Sequence, residues 1–239
     1  MIIKPLRRIL GGATLASLLA LASCSSDAAT RAGEAPATGP LVVLFPNSHS
    51  AFDGENTYQV PAMVEGLTAG ITWTASDPAL VDLAPGANGT VLLTTKAAGM
   101  VEVIATAGKR TGKTKLTITP HTPEEFRVGY ERYTNGATAG KTGAGQPCAV
   151  CHGEMGTVHS PQQTGGFTDE ELRDIILLGD LPARTYEKYG KNDEWHQLHQ
   201  WAADLTEVAG LVVYLRALPP RSQGSKIDFG RGSPEFPQK

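Results

Sequence analysis

The chain has 239 residues, 41% of them hydrophobic and 19% charged, a balance that fits one or two globular domains and excludes wholesale disorder. Its formal charge of −3 provides no basic field, which argues against nucleic acid as a partner. Cys24, Cys148 and Cys151 are the three cysteines. They are too few for a disulfide scaffold, so each needs its own chemistry.

The chain opens on an export signal, predicted over residues 1–23. Lys4, Arg7 and Arg8 form a positive start, and Ile9 to Ala22 runs without a charge. That run is too short and too rich in Gly and Ala for a membrane span. It ends in Leu21-Ala22-Ser23-Cys24, which resembles the lipobox of bacterial lipoproteins. The resemblance implies a diacylglyceryl group on the Cys24 sulfur, cleavage before Cys24 and acylation of the new amino terminus. Several acyl chains on one residue give firm membrane attachment, where one chain gives only marginal binding. Ser25 after the cysteine favours the outer membrane of a Gram-negative envelope. Residues 24–40 are small, polar and rich in Pro and Gly, and read as a flexible tether.

Residues 41–120 read as β-structure. LVVLF, ITWTAS, TVLLTT, MVEVIATA and TKLTIT are short β-branched runs, several alternating with period two. Asp77-Pro78, Pro85-Gly86, Asn88-Gly89, Ala98-Gly99 and Thr111-Gly112-Lys113 punctuate them as turns. The spacing suggests a small antiparallel sandwich with Trp73 in its core. Trp73, Ser76 to Pro78, Gly89 and Ala98-Gly99 make the stretch resemble the bacterial immunoglobulin-like group 2 domain. That resemblance implies a spacer or docking module.

Residues 121–221 change period. Thr122-Pro123-Glu124-Glu125, Thr168-x-x-Glu171 and Asp204-x-x-Glu207 are three helix starts of one chemistry: a side-chain cap with a Glu three residues on. Helical patterns follow each, and Gly179 and Pro219-Pro220 end the second and third. An all-α domain is predicted here, with residues 222–239 as a loosely ordered tail.

Between the first two helices lies Cys148-Ala149-Val150-Cys151-His152, the C-x-x-C-H haem-attachment pattern. Two thiols three residues apart on one helical turn point to one side and reach the two vinyl groups, and His152 offers its imidazole to the iron. A zinc site needs further ligands, and a thioredoxin-like dithiol needs a βαβ setting that is absent. Haem attachment also requires export, which the signal segment provides.

The order of a helix, the motif, a loop, a middle helix and a last helix ending near Tyr214-Leu215 resembles the single-haem cytochromes c of class I. The resemblance implies that the Pro161 carbonyl accepts the proximal His Nδ1–H, which would fix the ring and raise its basicity. The usual sixth ligand of that family is a Met before the last helix. Here Met1, Met63, Met100 and Met155 all lie elsewhere, and Glu194 to Trp201 (EWHQLHQW) occupies the place. Ligation by two histidines is therefore expected, with His199 ahead of His196 and His159 third, and with a low reduction potential. Trp195 and Trp201 are expected at the haem edge. Leu172, Ile175, Ile176, Leu211, Tyr214 and Leu215 are the expected pocket and core.

The predicted fold class is thus two domains, an N-terminal all-β Ig-like sandwich and a C-terminal all-α cytochrome c. The predicted function is an electron carrier, not an enzyme, with one covalent haem c and no catalytic residues. It would be lipid-anchored in the envelope and would exchange electrons with redox partner proteins there. Two other readings remain open at this stage: a haem sensor or peroxidase-like protein with an open sixth position, and a β domain that is the main actor by docking on an envelope partner or polysaccharide.

Overall fold

A computed structural model describes residues 39–44, 47–137, 145–153, 159–182 and 201–220. The predicted signal segment, Cys24 and nearly all of the tether lie outside the described residues, as does the predicted tail.

Eight strands form two facing sheets. They are β1 (Val43–Leu44), β2 (Asn47–Phe52), β3 (Gln59–Val64), β4 (Thr72–Ala75), β5 (Val81–Pro85), β6 (Val91–Thr95), β7 (Gly99–Ala107) and β8 (Arg110–Pro120). One sheet has the order β1-β3-β6-β5 and the other β2-β8-β7-β4. Setting β2 aside, these orders match the two-sheet topology of an immunoglobulin-type sandwich. The period-two alternation of the sequence produces them. Val91 and Leu93 of β6, Val101 and Val103 of β7, and Leu116 and Ile118 of β8 all turn inward and pack with Val60, Ala62 and Val81. Each such aliphatic side chain contributes roughly 1.5–3 kcal/mol relative to exposure. Trp73 is half-buried and bridges this core to a second cluster of Leu41, Val43, Val64 and Ala105. Its indole N–H donates to the Gly89 carbonyl at 3.1 Å.

The sandwich differs from the expected antiparallel one in three places. β2 pairs with β8 in parallel, from Asn47 opposite Lys115 to Phe52 opposite Pro120. The β7–β8 turn falls at Gly108-Lys109, where Ala107 faces Arg110, and not at Thr111-Gly112-Lys113. Gly112 instead lies within β8, because a Cβ there would meet the Leu41 carbonyl oxygen at 2.3 Å; the incoming chain crosses the strand at that point. Pro61 sits in β3 despite lacking an N–H. β1 covers only Met63 and Val64, so at Pro61 the strand has β6 as a neighbour but not β1, a place where proline is tolerated.

The described helices are α1 (Pro123–Asn135), α2 (Ala149–His152), α3 (Pro161–Thr164), α4 (Asp169–Leu178) and α5 (Leu205–Ala217). The three predicted caps are complete capping boxes, Thr122 with Glu125, Thr168 with Glu171 and Asp204 with Glu207. Gly179 ends α4 in the left-handed region at φ 70°, as glycine readily does. Among the described residues no helix is long and apolar enough to cross a membrane.

The helices do not form a separate domain. Ala51 of β2 and Tyr58 share a buried cluster with Val213 of α5, flanked by Phe126 of α1 and Ala217 of α5. The His49 N–H of β2 donates to the Gly165 carbonyl after α3 at 2.7 Å, and the His121 N–H donates to the Phe52 carbonyl at 2.8 Å. The described residues, from Gly39 onward, form one compact unit. The expected fold class is corrected accordingly. In place of an all-β domain followed by an all-α cytochrome c domain, the structure is a mixed β/α unit, an Ig-like sandwich with helices built onto it. The physical reason is shared interior. Only His121 and Thr122 separate β8 from α1, and the apolar face of α5 is covered partly by sandwich residues.

Tyr58 stands at this junction. It is fully buried, and its hydroxyl donates to Asp53 Oδ2 at 2.7 Å. Burial and the neighbouring Asp53 carboxylate push its phenol well above the ordinary value. Asp53 also accepts from the Glu55 and Asn56 N–H groups and from Asn56 Nδ2. Tyr58→Phe should therefore lower the stability of the whole unit by about 2 kcal/mol, the value of a buried hydrogen bond to a charged group, read as a shift of the urea midpoint.

Candidate functional site

The C-x-x-C-H segment forms a single turn. Cys148 is the N-cap of α2, which runs through Cys151 to His152 and stops at Gly153 with φ 70°. Cys148 is 8% exposed and packs in an apolar cluster with Tyr133 of α1 and with Leu211, Tyr214, Leu215 and Leu218 of the α5 region. Phe126, Ala149 and Ile176 border the same cluster. Leu211, Tyr214, Leu215 and Ile176 are therefore core residues as expected, and Leu172 is buried nearby in α4. The side chain of Cys151 lies outside the described set.

Tyr133 holds the end of the turn. Burial pushes its phenol well up, with the neighbouring Cys148 and Tyr214 adding to the shift, so it stays neutral and donates. Its hydroxyl reaches the Gly153 carbonyl at 3.1 Å. His152 lies against His159, with ring centroids 3.9 Å apart. Pro161 takes the first position of α3, and its carbonyl accepts the Gly165 N–H at 2.8 Å. Trp201 is buried, and its backbone N–H donates to the Ile176 carbonyl at 3.3 Å. Trp195, His196 and His199 lie outside the described residues.

Two structural features around this turn have no local sequence signal. The first is Arg132, 2% exposed. It donates to the Gln146 carbonyl at 3.1 Å and the Ala202 carbonyl at 3.3 Å, and its guanidinium lies 5.8 Å from the Trp201 ring. It thus ties the chain entering the C-x-x-C-H turn to the chain entering α5. The second is the crossing of α1 and α5 at Gly129 and Gly210, where a Cβ on Gly129 would fall 1.8 Å from the Gly210 carbonyl oxygen.

No protein-family model matches the chain, and no curated protein matches it. Among solved structures, the M1 domain from titin is similar at 9% identity over 34% of this chain and 95% of that chain, with a TM-score of 0.28. Domains 4 and 5 of the S-layer protein SbsC are similar at 11% identity over 34% of this chain and 51% of that chain, with a TM-score of 0.27. The Ig-like domain of human leucine-rich repeat-containing protein 4 is similar at 10% identity over 38% of this chain and 95% of that chain, with a TM-score of 0.24.

The family resemblance drawn from the sequence is corrected by the structure. A class I-like single-haem cytochrome c domain fused to a bacterial Ig-like group 2 domain in a lipoprotein is not upheld. Among the described residues no group of three or more His, Cys, Asp or Glu side chains is placed to hold a metal ion. The described helices are joined to the two sheets in one unit and form no separate all-α domain. What remains is the chemistry of the residues themselves. The set Cys148, Cys151 and His152 fits covalent haem in kind: two thiols and an imidazole on one helical turn, with Cys148 inside an apolar cluster that shields it from water.

Proposed function

We propose that this chain is an exported electron carrier that holds one haem c. Cys148 and Cys151 would form the two thioether links, and His152 would be the axial ligand. One observation carries the reading: the C-x-x-C-H turn is docked with Cys148 inside the apolar cluster of α1 and α5. A reactive or regulatory thiol sits in an electropositive, accessible place; a thiol packed among Leu211, Tyr214 and Leu215 sits where an apolar prosthetic group would lie.

Bound there, the haem supplies a one-electron iron couple whose potential follows its axial ligands and burial. The protein's own residues do the rest. Tyr133 fixes the Gly153 carbonyl and so the end of the turn. Leu211, Tyr214 and Leu215 exclude water from one side. His199, with His196 behind it, is the second ligand in this proposal, and the Cys24 lipid anchor keeps the carrier at the envelope membrane, where it meets its redox partner proteins.

The test is the full chain expressed in a host that matures c-type haem. A pyridine haemochrome spectrum and intact mass should show one haem per chain, absent from the Cys148→Ala/Cys151→Ala double variant. Colourless protein with both thiols unmodified would end the proposal. Carbon monoxide added to the reduced protein should leave its spectrum unchanged, because both axial positions are filled; rapid, complete binding would point instead to an open sixth position.

A further inference from the structure

We propose that His159 is a positioning residue for His152, the surface against which the ligand imidazole is set. This rests on the haem reading above and assigns a role to a residue outside the attachment motif.

The geometry is a three-ring stack. The His152 and His159 centroids are 3.9 Å apart, with their planes inclined at 39°. Tyr133 closes the other side of His159, with centroids 6.1 Å apart and planes at 76°, an edge contact. Imidazole nitrogens direct their lone pairs in the ring plane. Two rings in face contact therefore aim those pairs alongside one another, not at a common point. The arrangement is that of a ligand and its support, so His159 is assigned beside His152 and not across the iron from it.

Each member of the stack is held from a different direction. His152 ends α2, and Tyr133 secures the adjoining Gly153. His159 precedes Ser160, which is fully buried and caps α3, and Pro161 then fixes the backbone at the first helical position. The far end of that short helix is pinned to the sandwich, through the His49 N–H and the Gly165 carbonyl. The stack is thus where the frame set by the β-sheets meets the frame set by α1 and α5. A ring packed on one face cannot turn without displacing its neighbour. Groups that fix a ligand's ring orientation tune the metal it binds. The sandwich thereby contributes to the site itself, beyond any spacer role.

The test compares full-length wild type, His159→Phe and His159→Ala from a haem-maturing host. Haem content, read first, should be equal in all three. In the oxidised state, electron paramagnetic resonance should give wild type and His159→Phe the same low-spin g-values, because phenylalanine keeps the aromatic face. His159→Ala should give a displaced and broader set, with a shifted midpoint potential. Wild-type g-values in His159→Ala would overturn the proposal. So would a His159→Phe spectrum as displaced as that of His159→Ala, or loss of the low-spin signal in both variants, which would make His159 a ligand. If wild type carries no haem, the functional reading fails separately. The stack is then read in the unmatured full chain by nuclear magnetic resonance. The His152 ring protons should carry an aromatic ring-current shift that His159→Phe keeps and His159→Ala loses; no difference between the two sinks the positioning role.

Discussion

Replacing Arg216 with Met should destabilise the fold by about 3–5 kcal/mol, the range for breaking a buried ion pair from one side. The Arg216 side chain is 1% exposed. It donates to the Thr164 carbonyl at 2.6 Å, to the Phe167 carbonyl, and to Asp169 Oδ1 at 2.9 Å. Its loss leaves a largely enclosed carboxylate without its cation and two carbonyls without their donor. Arg216→Lys should recover little, because one ammonium cannot span the same three acceptors in the planar geometry of the guanidinium. The double change Arg216→Met/Asp169→Leu should recover part of the loss, since it removes the stranded charge as well. Urea unfolding of the four proteins measures all of this, and a single-variant cost under about 1 kcal/mol, the value of an exposed pair, would contradict the buried-pair account.

The same pair sets an acid limit. Burial works against the Asp169 charge, yet the neighbouring His121 and the charge and hydrogen bonds of Arg216 outweigh it and hold the carboxyl well below its ordinary value of 3.8. His121 Nε2 lies 3.6 Å from Asp169 Oδ2, and its Nδ1 lies 3.5 Å from Glu125 Oε2. A carboxyl with a depressed folded-state pKa stabilises fully above its unfolded value, and that contribution is lost as pH falls through the folded one. Wild type should therefore lose stability from about pH 5 downward, and Asp169→Asn should follow a flatter curve over that window.

Gly129→Ala should also be severe, and here the sign is the test. In an open helix the change from Gly to Ala stabilises by roughly 0.5–1 kcal/mol, because glycine has more freedom to lose. At this crossing the new Cβ meets the Gly210 carbonyl oxygen at 1.8 Å and the Leu211 nitrogen at 2.9 Å. Both are backbone atoms that cannot rotate away, so α1 and α5 must separate. The expected cost is about 3 kcal/mol, at the upper end for overpacking. Gly210→Ala should behave alike, since its Cβ would meet the Glu125 carbonyl oxygen at 2.6 Å. An unchanged or raised melting temperature in either variant would rule out the close crossing. Separation should reach the C-x-x-C-H turn as well, because Tyr133 and Leu211 flank the crossing and both belong to the cluster around Cys148.

Much of the local structure was legible because it is written in short-range chemistry. Each Thr or Asp followed by Glu at the third position became a capping box. The β-branched runs became β4, β6, β7 and β8, which alternate between core and surface. Strand β2, with the sequence Asn-Ser-His-Ser-Ala-Phe, has no β-branched residue, and its strand character comes from β8 beside it. Strand β3 carries Pro61, and β5 runs into Pro85, which the sequence marks as a turn residue. Domain independence was misjudged for a related reason. Nothing local marks Ala51, Tyr58 and Val213 as neighbours, and their contact is what fuses sandwich and helices. Nothing local marks Arg132 and Arg216 for burial either; each is enclosed with the carbonyls it donates to. For the candidate site, the C-x-x-C-H turn was legible from spacing alone, whereas the stacking of His159 on His152 depends on the fold around Ser160 and Gly165.

The cover over Cys148 is assembled from parts of the chain made at very different times. Its lining comes from Tyr133, which precedes it, and from Leu211, Tyr214 and Leu215, which a ribosome reaches only after many more residues. Until α5 packs against α1, Cys148 keeps its access to solvent on that side. Chemistry at this sulfur accordingly has its easiest moment early, before the last helix arrives and closes the enclosure.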